Sequence, residues 1–182
     1  MAVTEITASM LMPLRGKKRW AYLERSRTIR FATANEDGSI YLSPLWFVVD
    51  DEHIYIPVDA ASRHGENFEA GRPLSALVDS GDEYATVHGV RILGKMELVT
   101  DEALVERLQE KVFEKYFYTG HPFADAYLGF GKAAGRRYYE LVPEKMIGWD
   151  MRETTMPQVP EAHSLPDFVG DRRLENLPEG AS

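Results

Sequence analysis

Short runs of alternating apolar and polar residues, separated by turn signals, fill residues 28–99 and constrain the fold more than any other feature. Residues 28–34 alternate with a period of two, as half-buried strands do. Asn, Glu, Asp and Gly at residues 35–38 predict a hairpin turn, and residues 39–49 then form the partner strand. Because Pro44 cannot donate to a ladder, we expect an edge or a bulge there. The pattern therefore predicts a sheet that begins with an antiparallel hairpin.

The rest of the chain adds strands and helices to this hairpin. Further strands are predicted at residues 53–58, 74–79, 84–99 and 138–142, the last continuing at residues 145–149. Cap and stop residues, or apolar residues at helical spacing, predict helices at residues 14–26, 63–70 and 100–117. The glycine-rich run at residues 129–135 lacks the Lys-Ser/Thr ending of phosphate loops, so a short helix is expected instead. Six strands with flanking helices make a mainly β fold of the α+β class.

Composition indicates how the chain is divided and which classes of partner it excludes. The 182 residues are divided into a lead-in (residues 1–13), one domain (residues 14–150) and an acidic tail with prolines (residues 151–182). A net charge of −8 argues against nucleic-acid and anionic-membrane partners. The absence of cysteine excludes disulfides and thiolate metal sites. No apolar run reaches the ~18 residues of a membrane span and no signal peptide is evident, so cytoplasmic residence is expected.

Residues 62–67 carry the strongest local indication of a binding site. Ser62 is placed to cap a helix, which leaves backbone N–H groups of the first turn free to face an anion. Arg63 and His64 would add charge-assisted hydrogen bonds, and Gly65 would allow a ligand to approach the backbone. An ordinary surface helix that starts after a strand explains the same residues. The motif alone therefore leaves a phosphate site and a plain helix start both open.

The order and spacing of five segments resemble one known family. The segments are residues 29–38, 42–47, 62–68, 87–98 and 143–150. Together they resemble the pyridoxamine 5′-phosphate oxidase-like split-barrel flavoproteins, including their deazaflavin-dependent branch, across roughly residues 14–150. The resemblance implies a six-stranded antiparallel split β-barrel of the FMN-binding type. It also implies a homodimer with two cofactor sites at the subunit interface.

The same resemblance implies the cofactor-binding residues by position. The flavin ring would lie against one strand and the ribityl phosphate at the start of the short helix, with two further contributing residues from either the same or the second subunit. The three groups are Ser43, Pro44, Leu45 and Trp46 for the ring, Ser62, Arg63, His64 and Asn67 for the phosphate, and Arg91 and Trp149 as the further contributors. Relatives often have lysine where this chain has His64, and a basic residue where it has Glu66. Both departures weaken an anion site and favour FMN over the more anionic deazaflavin F420.

The resulting functional hypothesis is an FMN-dependent oxidoreductase that transfers hydride with a small, planar, conjugated substrate. One alternative is a deazaflavin-dependent reductase of unsaturated bonds in enones, quinones or bilins. Another is a flavin- or haem-binding protein without turnover. No triad, acid/base pair or metal-ligand spacing is visible, and the five histidines are scattered, so no catalytic residue and no metal ligand is assigned.

Overall fold

The computed structural model describes residues 13–82, 86–117, 121–133 and 135–153. The predicted lead-in and acidic tail, apart from Pro13 and residues 151–153, lie outside these ranges. In chain order the elements are α1 (Gly16–Arg25), β1 (Ile29–Ala34), β2 (Ile40–Leu45), β3 (Val48–Asp50), β4 (His53–Asp59), α2 (Arg63–Glu69), β5 (Leu74–Ser80), β6 (His88–Leu98), α3 (Glu102–Tyr116), α4 (Ala124–Ala133), β7 (Arg136–Asp150) and a 3₁₀ turn (Met151–Glu153).

All seven strands belong to one antiparallel sheet in the order β2-β1-β5-β6-β7-β4-β3. The strands β2 and β3 stand at opposite ends of this order, yet only Trp46 and Phe47 join them along the chain. The sheet must therefore curl until its two ends approach each other, as in a barrel that stays split at one seam. This architecture confirms the predicted split-barrel fold.

The sheet has seven strands rather than the predicted six, because the run at residues 39–49 forms two strands. Pro44 has no N–H for a ladder, and the N–H of Phe47 donates to the Tyr116 hydroxyl at 2.9 Å instead of to a neighbouring strand. Pairing therefore stops after Leu45 and resumes at Val48 with a different partner, β4. The separation into β2 and β3 creates the seam of the barrel.

The last strand is continuous although the sequence suggested a break at Pro143 and Glu144. A register shift opposite Leu93 and Gly94 absorbs the irregularity, so β7 pairs with β6 along both halves. Gly94 makes this possible because a Cβ there would lie 2.2 Å from the Val142 carbonyl oxygen. The long β6–β7 pair is the central support of the curled sheet.

Two groups of buried apolar side chains stabilise the fold. The larger fills the inside of the curled sheet with residues such as Phe31, Ile56 and Ile92, which are completely buried. The smaller packs α3 against β3, β4 and β7, with Leu108 and Val112 at its centre. In the described part of the chain, no helix is long and apolar enough to cross a bilayer.

The Tyr116 side chain holds the seam where β2 becomes β3. Its hydroxyl accepts from the Phe47 N–H and lies 2.7 Å from the Phe47 carbonyl oxygen and 2.8 Å from that of Arg27, to which it donates. Burial raises the pKa of Tyr116 to about 12, so this donor persists across the neutral range. The ring also stacks on Trp46, with centroids 4.3 Å apart and planes 8° from parallel. One side chain of α3 thus fixes both seam residues.

We expect Tyr116→Phe to lower the free energy of unfolding by about 1–3 kcal/mol, because the buried Phe47 N–H would lose its partner. Urea denaturation followed by circular dichroism measures this change. Tyr22→Phe is a matched control, since the buried Tyr22 hydroxyl has no hydrogen-bond partner among the described residues. The control should change stability by less than about 0.5 kcal/mol. Equal effects of both substitutions would contradict this role of Tyr116.

Candidate functional site

A cavity of about 330 Å³ lies between the end of β2 and the start of α2. Residues from 41–46 and 57–64 line it together with Tyr127 and Arg136, and six of the ten predicted cofactor-binding residues are among them. The six are Ser43, Pro44, Leu45, Trp46, Ser62 and His64. The predicted ring-binding strand and the predicted anion-binding turn therefore meet in one place.

Strand alternation determines which side chains of β2 face the cavity. Pairing of Phe31 with Ser43 turns Ser43 toward the interior, and Tyr41 and Leu45 share that face. Trp46 follows the strand and is 39% exposed, with one ring face covered by Tyr116. This wall offers a hydroxyl group beside a rigid aromatic surface, an arrangement suited to a flat conjugated ligand.

The α2 side confirms the predicted cap and revises the reason for the glycine. The Ser62 hydroxyl accepts from the Gly65 N–H at 3.1 Å, and Ser62 has the extended backbone of an N-cap. A Cβ at Gly65 would lie 2.6 Å from the Asp59 carbonyl oxygen and 2.7 Å from that of Ala60. Gly65 is therefore required by the tight turn from β4 into α2, and its close neighbour is backbone rather than a ligand.

His64 is buried and neutral, unlike the charged imidazole expected from the sequence. Its Nε2 lies 2.8 Å from the Ser43 Oγ, and its ring packs against Tyr41 with centroids 4.7 Å apart. Loss of hydration lowers the pKa of His64 to about 4, because burial disfavours the imidazolium. At neutral pH His64 adds hydrogen-bonding capacity to the cavity but no positive charge.

Arg63 and Asn67 do not line the cavity. Arg63 is exposed and pairs with Glu66 one turn later, at 2.9 Å between Nη1 and Oε2. Asn67 is buried, and its amide nitrogen donates to Thr33 at 2.9 Å and to Asn35 at 3.0 Å. Asn67 thus ties α2 to the sheet, whereas Arg63 keeps its charge at the surface beside the cavity.

Arg91 and Trp149 lie away from the cavity of their own chain. Arg91 is exposed on the outer face of the sheet, where its cross-strand partners are Leu77 and Ile147. Trp149 is half-buried near the end of β7 and forms an isolated bridge with Pro13. Neither residue joins the six predicted residues that line the cavity within a single chain.

Six cavity residues lie outside the predicted cofactor-binding set: Tyr41, Pro57, Val58, Asp59, Tyr127 and Arg136. The Nε of Arg136 donates to Asp59 at 3.1 Å, and its guanidinium lies 4.2 Å from the centre of the Tyr127 ring. Arg136 meets Asp59 only because β4 pairs with β7 over a separation of 77 residues. The sequence carries no local signal for this pair. Among the described residues, no group of three potential metal-ligating side chains occurs.

Comparisons with known proteins agree with this architecture. The family model described as pyridoxamine 5′-phosphate oxidase matches residues 17–150. A conserved hypothetical protein of Mycobacterium tuberculosis has a similar structure, with a TM-score of 0.70 and 25% identity, covering 90% of this chain and 100% of that chain. An FAD-binding protein of Mesorhizobium loti gives a TM-score of 0.57 at 18% identity, covering 77% of this chain and 96% of that chain. The haem-storage protein of Vibrio cholerae gives a TM-score of 0.59 at 17% identity, covering 78% of this chain and 99% of that chain.

The matched segment carries both the fold and the cavity. It contains all seven strands and all ten predicted cofactor-binding residues. The FAD-binding and haem-storage proteins share the fold at identities too low to indicate more. A comparison with curated protein sequences found no significant match. Because the family model covers well over half of the chain, this protein belongs to the pyridoxamine 5′-phosphate oxidase family.

Proposed function

We propose that the protein is an FMN-dependent oxidoreductase that binds the cofactor in the cavity between β2 and α2. The observation that carries this proposal is the meeting of residues 43–46 with Ser62 and His64 around one cavity. Its volume of about 330 Å³ lies within the range of about 300–1,000 Å³ typical of small-molecule sites. Family membership and a structural neighbour that binds FAD support a flavin as the ligand.

The residues fit a flavin ring better than they fit its phosphate. Trp46 and Leu45 provide apolar surface for a planar ring, and Ser43 provides a polar group at its edge. On the phosphate side, Ser62 is engaged as a helix cap and the charge of Arg63 is offset by Glu66. Bound FMN would supply the hydride chemistry, while these side chains hold and orient it. The substrate would be a small conjugated molecule that reaches the exposed part of the ring.

The geometry gives less support to the two alternatives. Deazaflavin F420 carries a longer anionic tail, and Arg63 is already paired beside the cavity. Histidine is a common axial ligand of haem iron, but the Nε2 of His64 in the cavity is already engaged 2.8 Å from Ser43. Absorbance spectra of the protein mixed with each cofactor separate these ligands.

The proposal includes a second copy of the chain on the outer face of the sheet. Ile40 and Leu42 are 65% and 64% exposed on the edge strand β2, and Leu93 and Ile147 are also exposed. One row of cross-strand partners runs over this face: Leu42, Ala32, Ser75 and Leu93. Several exposed apolar side chains on one face of a sheet are typical of a protein interface. Arg91 lies on the same face, so the second copy would cover Arg91. This contact would bring Arg91 of one chain toward the cofactor of the other.

Leu42→Lys should convert the dimer to a monomer, because it places a charge in an apolar contact. Sedimentation equilibrium at micromolar concentration measures the mass. Leu98→Lys is the control, since Leu98 is also exposed, at 47%, but ends β6 opposite Tyr139 rather than on the outer face. The control should leave the mass unchanged. A monomeric wild-type protein, or a dimeric Leu42→Lys variant, would argue against this interface.

The position of the phosphate can be tested with a pair of opposing substitutions. Arg63→Ala should weaken FMN binding about tenfold, because it removes a charge-assisted contact. Glu66→Gln should strengthen binding a few fold, because it releases Arg63 from its ion pair. Titration followed by flavin fluorescence gives both dissociation constants.

Riboflavin, which lacks the phosphate, is the internal control for this pair. Its affinity should respond to neither substitution if Arg63 acts on the phosphate. If both variants bind FMN with the wild-type affinity, the phosphate lies elsewhere. A wild-type protein that binds neither FMN nor riboflavin would refute the proposed function.

A further inference from the structure

An unbroken chain of side-chain hydrogen bonds runs from the β1–β2 hairpin turn, through the interior, to the cavity. Six contacts of 2.6–3.5 Å connect its members. In order these members are Asp37, Ser39, Asn35, Asn67, Thr33, His64 and Ser43. Four of them lie around the hairpin turn or on β1, two lie on α2, and Ser43 lies on β2 in the cavity wall. Such a chain can have a fixed direction if one end can only accept.

The exposed carboxylate of Asp37 is that end. The Ser39 hydroxyl donates to it at 2.6 Å, so the Ser39 oxygen is free to accept from the amide nitrogen of Asn35 at 3.0 Å. This contact determines which way the Asn35 amide is turned. Its carbonyl oxygen then faces the amide nitrogen of Asn67, 3.0 Å away. The turn therefore fixes the orientation of a buried side chain on α2.

The direction continues into the interior through Thr33. The Asn67 amide nitrogen also donates to the Thr33 Oγ1 at 2.9 Å. Thr33 is completely buried, so its own proton needs an acceptor within the protein. The Nδ1 of His64 lies 3.5 Å away, and a neutral ring can accept at that nitrogen. Thr33 therefore acts as the donor to His64.

The tautomer of His64 follows from this contact. With Nδ1 accepting, the ring proton of the neutral imidazole resides on Nε2, which donates to the Ser43 Oγ at 2.8 Å. Once Ser43 accepts from His64, its own hydroxyl proton cannot point back at the ring. Because Ser43 and His64 both line the cavity, that proton is left to face the cavity.

We propose that Ser43 is a fixed hydrogen-bond donor to the ligand, oriented by His64 and Thr33 as positioning residues, so that the site offers a proton to an unprotonated ring nitrogen or a carbonyl oxygen at that point. The choice of FMN as this ligand rests on the proposed function. The direction of the chain does not depend on it, because every contact is present within the protein. Ser43 could otherwise direct its proton at the His64 ring, and the relay removes that option.

The tautomer of His64 is measurable without any ligand. Nitrogen NMR of the imidazole rings in the unliganded protein distinguishes the two neutral forms, and a His64→Gln spectrum identifies the signals. We expect the proton on Nε2. A proton on Nδ1 would overturn the proposal even if FMN binds. If FMN fails to bind, the proposed function falls while this spectrum still decides the direction of the relay.

Affinity measurements test the donor itself. Ser43→Ala should weaken FMN binding about tenfold, the usual worth of one net hydrogen bond. Thr33→Val should weaken it by a similar factor although Thr33 does not line the cavity, since His64 can then accept from Ser43. The double variant should bind as weakly as either single variant, because both remove the same contact.

Ser80→Ala is the matched control, because Ser80 is exposed at the end of β5. It should leave the FMN dissociation constant unchanged. Thermal unfolding checks that each variant is folded, and if Thr33→Val is not, Ser43→Ala and the wild-type NMR spectrum remain decisive. Unchanged FMN affinity in Ser43→Ala, or fully additive losses in the double variant, would refute the relay.

Discussion

The hydrogen bonds of the Tyr116 hydroxyl at the barrel seam are the constraint on which the rest of the structure depends. A sheet that curls on itself without closing leaves two ends, and here β2 and β3 are joined by two residues only. Backbone groups at such a seam have no ladder partner, and burying them unpaired would be costly. Tyr116 accepts from the Phe47 N–H and donates to the Arg27 carbonyl oxygen, so α3 takes the place of a missing strand.

The cavity is a consequence of this seam. Because β2 ends at Leu45, Trp46 leaves the sheet and stacks on Tyr116, where its ring forms part of the cavity wall. The chain then returns through β4 and enters α2 by the tight turn that Gly65 allows, which brings Ser62 and His64 opposite β2. The elements that make the barrel incomplete are thus those that make a site. A fully closed barrel of the same strands would have a ladder at this position.

Much of the fold could be predicted because its signals are local. The hairpin turn at residues 35–38, the Ser62 cap and the alternation of β1 all depend on neighbours within a few residues, and the structure contains each of them. The number of strands could not be predicted in the same way, because the break after Leu45 depends on Tyr116, 69 residues beyond Phe47. The predicted site residues on β2 and at the turn into α2 meet around the cavity, because strand and turn motifs position them. Arg63 and Asn67 do not line the cavity, because their side chains bind Glu66 and Thr33 instead.

The amino-acid sequence by itself determined an antiparallel α+β domain with a capped turn at Ser62, since alternation, turn residues and caps act over short distances. Tertiary structure alone decided the chemistry of that turn. It buried His64, lowering its pKa and removing its charge, and it joined His64 to Ser43 across 21 residues. It also paired Asp59 with Arg136 through the β4–β7 ladder. The physical reason is that hydration, charge and hydrogen-bond direction depend on which groups surround a side chain, and those groups come from distant parts of the chain.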